Sequence, residues 1–141
     1  MSFKSVAALA MAALLSAGAA GAETIHFAAT LTGGDEVPPN ASTGHGELTA
    51  EVDPAEKVLV YRATYTGLSG PAVAAHFHGP AAPGVDAPPV VMVQDPSSPI
   101  YGTARLTSDQ VDQLLSGKWY FNVHTKAHPG GEIRGQLKRL N

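Results

Sequence analysis

Apolar and polar residues alternate along most of the chain, and Gly, Pro, Asn, Asp and Ser break the alternation at short intervals. In 24–32, Ile25, Phe27, Ala29 and Leu31 alternate with Thr24, His26, Ala28 and Thr30. In 118–124, Trp119, Phe121 and Val123 alternate with Tyr120, Asn122 and His124. A period of two belongs to extended strands with one face on a core, because successive side chains leave a strand on opposite sides. This pattern predicts strands near 24–32, 44–52, 57–67, 73–79, 90–94, 100–106, 118–124 and 132–139. Turn signals such as Gly33-Gly34-Asp35, Asp53-Pro54-Ala55-Glu56 and His128-Pro129-Gly130-Gly131 separate them. One stretch changes period. Thr107-Ser108-Asp109 can cap a helix, Val111, Leu114 and Leu115 follow at helical spacing, and Gly117 is suited to end it. The expected fold is all-β, an antiparallel Greek-key sandwich or barrel of about 7–8 strands with one short helix near 107–116.

The N-terminus departs from this pattern. Lys4 precedes an apolar, Ala-rich stretch from Val6 to Ala20, and Ala20-Gly21-Ala22 has the small-residue form of a signal peptidase site. The stretch falls short of the roughly 20 apolar residues of a membrane helix. It predicts a cleaved secretory signal over 1–22, one domain over 23–141, and a periplasmic or secreted protein without a membrane anchor. The chain has no cysteine, which excludes disulfides, thiolate metal sites and a lipidated N-terminal cysteine. Its net charge is −3, becoming −4 once Lys4 leaves, which is no footprint for nucleic acid or anionic lipid. The expected partners are a metal ion or a protein of the cell envelope.

Histidines supply the candidate chemistry. In Ala75-His76-Phe77-His78-Gly79 two imidazoles leave the same face of a strand about 6–7 Å apart. Ala75 and Phe77, with Val73, form the apolar set of that strand, so His76 and His78 point outward. Burial of Trp119 and Phe121 sends His124 outward in the same way. Three outward imidazoles from two strands can make one metal site if the strands are neighbours. His128 is a candidate fourth nitrogen, although it also suits the turn ahead of Pro129. Asn122, Glu132 and Arg134 are candidates to orient the imidazoles, with a surface ion pair the other role for Glu132 and Arg134. Met92 offers a soft thioether but is expected to pack in the core of Val90-Val91-Met92-Val93. His26 and His45 are expected to be solvent-facing without a role. Asp35-Glu36 lies in a turn, where carboxylates are usually solvated.

Several motifs occur in a recognisable order: Asp35-Glu36-Val37-Pro38-Pro39, Gly67-Leu68-Ser69-Gly70-Pro71, Ala74-Ala75-His76-Phe77-His78-Gly79-Pro80-Ala81, Leu106-Thr107, Tyr120-Phe121-Asn122-Val123-His124-Thr125, and Pro129-Gly130-Gly131-Glu132-Ile133-Arg134-Gly135-Gln136. Through them the chain resembles the CHRD domain, named for chordin and common in exported bacterial proteins, over essentially all of 24–140. The resemblance implies an immunoglobulin-sized β-sandwich or barrel and says little about activity. A looser resemblance, to copper/zinc superoxide dismutase, rests on the His-x-His strand and on a later strand ending in histidine. His76, His78 and His124 match three copper ligands of that family. The loop after His78 holds no histidine, so the bridging and zinc ligands of the dismutase have no counterpart. That resemblance implies a mononuclear copper site rather than a dismutase.

Three neutral imidazoles suit Cu(II), Zn(II) or Ni(II), and the stability order favours copper, with zinc also possible. No serine sits in a nucleophile-elbow context, and no Gly-rich loop follows a strand into a helix. Binding is therefore expected ahead of catalysis. The competing expectation is a metal-free interaction or adhesion module of the envelope, working through its outer sheet face or the proline-rich loop 79–89.

Overall fold

The computed structural model describes residues 23–141, and the predicted signal segment, 1–22, lies outside the described residues. The strands are β1 (Ile25–Thr32), β2 (His45–Asp53), β3 (Val58–Thr66), β4 (Ala72–His78), β5 (Pro89–Met92), β6 (Ile100–Arg105), β7 (Tyr120–Thr125), β8 (Ile133–Gln136) and β9 (Lys138–Arg139), with a helix α1 (Ser108–Leu115) between β6 and β7. They form one antiparallel sheet in the order β5-β4-β7-β8-β1-β2-β3-β6, with β9 pairing β1 at its side. The sheet curls into a nearly closed barrel or sandwich, as the alternation predicts. β1, β2 and β3 make a meander, and β8 returns to lie beside β1, the sequence order of a Greek key.

The predicted 132–139 strand divides at Leu137. Its side chain is buried in the core and its amide donates to the Trp119 carbonyl at 3.0 Å, which separates β8 from β9. The helix starts where expected. Thr107 accepts from the Gln110 amide while the Gln110 side chain accepts from the Thr107 amide, a reciprocal cap that satisfies two otherwise orphaned donors. Val111 and Leu114 turn inward, and Gln113 accepts from the Trp119 indole N–H at 3.2 Å.

The core lies on the inner face, where Phe27, Leu31, Leu59, Phe77, Trp119 and Phe121 are fully enclosed. Phe77 meets Tyr61 and Phe121 edge-to-face at ring separations of 4.9 and 4.8 Å, a preferred aromatic geometry. Two expectations about this core fail. Val73 is exposed, because the register shifts between Ala72 and Ala74 and turns it away from the face that Ala75 and Phe77 share. Met92 is 62% exposed instead of packed, since Val91 rather than Met92 pairs with Phe77.

Candidate metal centre

β4 and β7 are hydrogen-bonded neighbours, with Ala74 opposite His124, His76 opposite Asn122 and His78 opposite Tyr120. Directly opposed residues project to the same face of a sheet. His76, His78, Asn122, Tyr120 and His124 therefore share the face opposite to the core, as the alternation predicts. The expectation that this face is open to solvent is overturned. His78 is 8% and His124 9% exposed, and only His76 is half-buried.

Loop 79–89 provides much of the cover, pinned by side chains rather than by a ladder. Arg134 donates from Nη2 to the Val85 carbonyl at 2.7 Å and from Nη1 to Asp86 at 3.1 Å. The Ala87 amide donates to the Tyr120 hydroxyl at 3.1 Å, and Gln136 donates to the Ala81 carbonyl at 2.8 Å. The Arg134 guanidinium lies 3.4 Å from the Tyr120 ring centroid, and His78 stacks on that ring, 4.6 Å between centroids and 5° from parallel. This cation–ring–imidazole column gives the polar face a packed layer of its own.

Within it the three histidines converge. One ring nitrogen from each of His76, His78 and His124 lies within 4.8 Å of the other two. His76 Nδ1 is 3.1 Å from His124 Nε2. His124 Nδ1 lies 2.9 Å from the Pro129 carbonyl, and His78 Nδ1 lies 2.9 Å from the Ala87 carbonyl. A carbonyl oxygen only accepts, so both Nδ1 atoms carry their protons and both Nε2 lone pairs point elsewhere. Holding the far nitrogen of an imidazole with a carbonyl is how metal-ligating histidines are commonly oriented.

An ion bound at about 2.0–2.1 Å in tetrahedral geometry would space its nitrogens roughly 3.3–3.5 Å apart. The His76–His124 pair is near that spacing, and the His78 nitrogen stands within 4.8 Å of both. His78 Nε2 is at present 2.9 Å from the Asn122 side-chain oxygen. With its one proton on Nδ1, a neutral His78 makes no hydrogen bond to the Asn122 oxygen, and its Nε2 carries a free lone pair. Burial, followed by the neighbouring His124 and His78 imidazoles, lowers the pKa of His76 to about 4. Burial also lowers that of His78, against the hydrogen bonds to Ala87 and Asn122. Neutral imidazoles are the form that binds metal.

The other candidates separate. Asn122 touches His78 as expected. Arg134 is 1% exposed and pairs with Asp86, while Glu132 is fully buried and accepts from the Ser69 amide at 3.1 Å. They form no surface ion pair: the loops fold over both and give each its own partner. His128 places Nε2 3.4 Å from Glu132 and is not among the three clustered histidines. His26 and His45 are exposed beside Glu51 and Glu47.

Glu36 is the residue that sequence reasoning missed. It is 4% exposed instead of solvated, and its Oε1 has no hydrogen-bond partner. Burial raises its pKa to about 7, against the pull of Arg134 and of the Asn122 amide. Gly131 makes room for it: a Cβ there would collide with Glu36 and Asn122, and its φ of +124° is open mainly to glycine. The Gly130-Gly131 doublet was the available signal that something packs closely against this turn.

Searches among curated proteins and among solved structures returned no match. The CHRD domain matches residues 27–137, which take in β2 to β8 whole and most of β1, and so all the strands that carry the histidine layer. The chain belongs to the CHRD-domain family.

Proposed function

We propose that this CHRD protein is an exported transition-metal-binding protein that holds copper through His76, His78 and His124, in storage, transfer or protection. The observation that carries this reading is the convergence of three imidazoles to within 4.8 Å, two of them braced by backbone carbonyls. The lowered proton affinity of His76 and His78 adds to it, because a neutral imidazole is the form that binds metal. An all-nitrogen set without thiolate suits Cu(II) first by the stability order, and it also accommodates Zn(II). Export is supported by the Lys4, apolar stretch and Ala20-Gly21-Ala22 pattern.

The test is titration of purified, untagged protein with Cu(II) and Zn(II). One equivalent of Cu(II) should bind, and His76→Ala and His124→Ala should each weaken it at least about 100-fold, the size expected when one of three anchoring nitrogens is lost. Unchanged affinity in both variants removes the reading. A metal-free interaction module would then be favoured. The exposed Val60, Tyr101 and Leu140 on the outer face of β1, β2, β3 and β6 offer it a surface. Metal analysis of protein recovered from the periplasm or medium tests metal identity and location together.

A further inference from the structure

Met92 sits on edge strand β5, and its partner in the register is His76. The Val93 amide donates to the Ala75 carbonyl at 3.0 Å, which makes the adjacent His76–Met92 couple a non-hydrogen-bonded pair. That is the close kind, with Cα atoms about 4.5 Å apart and side chains on the same face. Val91, one residue earlier, pairs with Phe77 and packs against the core, so Met92 points to the histidine side. Its side chain is 62% exposed, unusual for a thioether flanked by two valines that are partly buried against the core. His76 is the half-buried member of the cluster. The exposed sulfur thus stands beside the imidazole nearest to solvent.

We infer that Met92 is a fourth, soft ligand of the three-histidine site, and that the site takes copper as Cu(I) as well as Cu(II). The inference rests on the metal-binding reading and adds a fourth ligand and a second oxidation state to it. A methionine side chain on an opposed residue has the length and freedom to carry its sulfur past the imidazole edge toward His76 Nδ1, beside which an ion shared with His124 would lie. Thioether sulfur prefers Cu(I) and adds little for Zn(II), so three nitrogens with one sulfur discriminate between the two metals in a way that three imidazoles alone do not. Within residues 23–141 there is no cysteine and Met92 is the single methionine, so a sulfur found on bound copper has one source in that span.

The experiment compares the full chain, as purified after expression, with its Met92→Leu and His76→Ala variants. Cu(I) affinity is read by competition with a chromophoric Cu(I) chelator, Zn(II) affinity by competition with a zinc dye, and the copper coordination by X-ray absorption. Met92→Leu should lower Cu(I) affinity by about tenfold or more, leave Zn(II) affinity within about twofold, and abolish a sulfur contribution present in the wild type. Equal Cu(I) affinity in the wild type and Met92→Leu, with only nitrogen neighbours in both spectra, overturns the role of Met92 while leaving the histidine site intact. Absence of copper binding by the wild type overturns the histidine site and Met92 with it, and unchanged copper binding in His76→Ala overturns the role of Met92, which reaches the ion through its place beside His76.

Discussion

Replacing Glu36 with Gln keeps the shape of the side chain and removes one ionisable proton from the layer beneath loop 79–89. Burial holds this carboxyl at about 7, against 4.5 for the ordinary group, so the folded protein retains a proton that the unfolded chain releases. The resulting stabilisation is fully present below pH 4.5 and is lost as the pH rises through 7. At 1.36 kcal/mol per pH unit, that gap corresponds to at most about 3 kcal/mol by pH 8. In a domain of this size, such a loss lowers the thermal midpoint by roughly 10 °C. The assay is denaturant unfolding of metal-free wild type and Glu36→Gln at pH 5 and pH 8, in chelator. His76, lowered to about 4, acts in the opposite direction, and its contribution fades as the pH falls from 6.5 towards 4. It does so in both proteins, and the difference between them isolates Glu36. The variant should gain about 2–3 kcal/mol relative to wild type between pH 5 and pH 8. A difference that does not change with pH refutes the argument, because Glu36 would then be ionised in the fold at little cost.

Arg134→Ala removes a buried guanidinium along with the fastening of Val85 and Asp86, and should cost about 3–5 kcal/mol in urea unfolding and open loop 79–89 to proteases. Asp86→Asn, whose carboxylate is exposed, should cost less than about 1 kcal/mol. Gly135→Ala forces a methyl group into the Thr30 carbonyl and should destabilise by about 1–3 kcal/mol or more, visible as a lowered thermal midpoint. Proton competition at His76 should set in only near pH 4, so His76→Ala should weaken copper binding by a similar factor at pH 5 and at pH 7; isothermal titration at the two pH values checks it.

Strand positions were legible because alternation reports burial directly, and Thr107-Ser108-Asp109 ahead of Val111, Leu114 and Leu115 announced the helix. The sharing of one face by His76, His78 and His124 was legible for the same reason. Proximity of β4 to β7 was not, since pairing across a long sequence separation depends on the whole topology. Period-two reasoning also assumes that the face away from the core is wet. Here loop 79–89 and the turn at 128–131 cover it, so Arg134, Tyr120 and Glu132 are enclosed although their periodicity marks them as outer. Glu36 escaped notice because its burial comes from tertiary packing around Gly131, which no local pattern at 35–39 encodes. Met92 was misplaced because a run of four apolar residues on a short edge strand carries no phase.

The bond from His78 to the Ala87 carbonyl makes one imidazole answer to two masters, the loop above it and the cluster beside it. Turning that ring away from Ala87 unlatches the loop, and peeling the loop back frees the ring. Any solute that immobilises His78 from the cluster side must therefore slow amide hydrogen exchange across 79–89, and by reciprocity anything that clamps the loop must tighten that solute's hold.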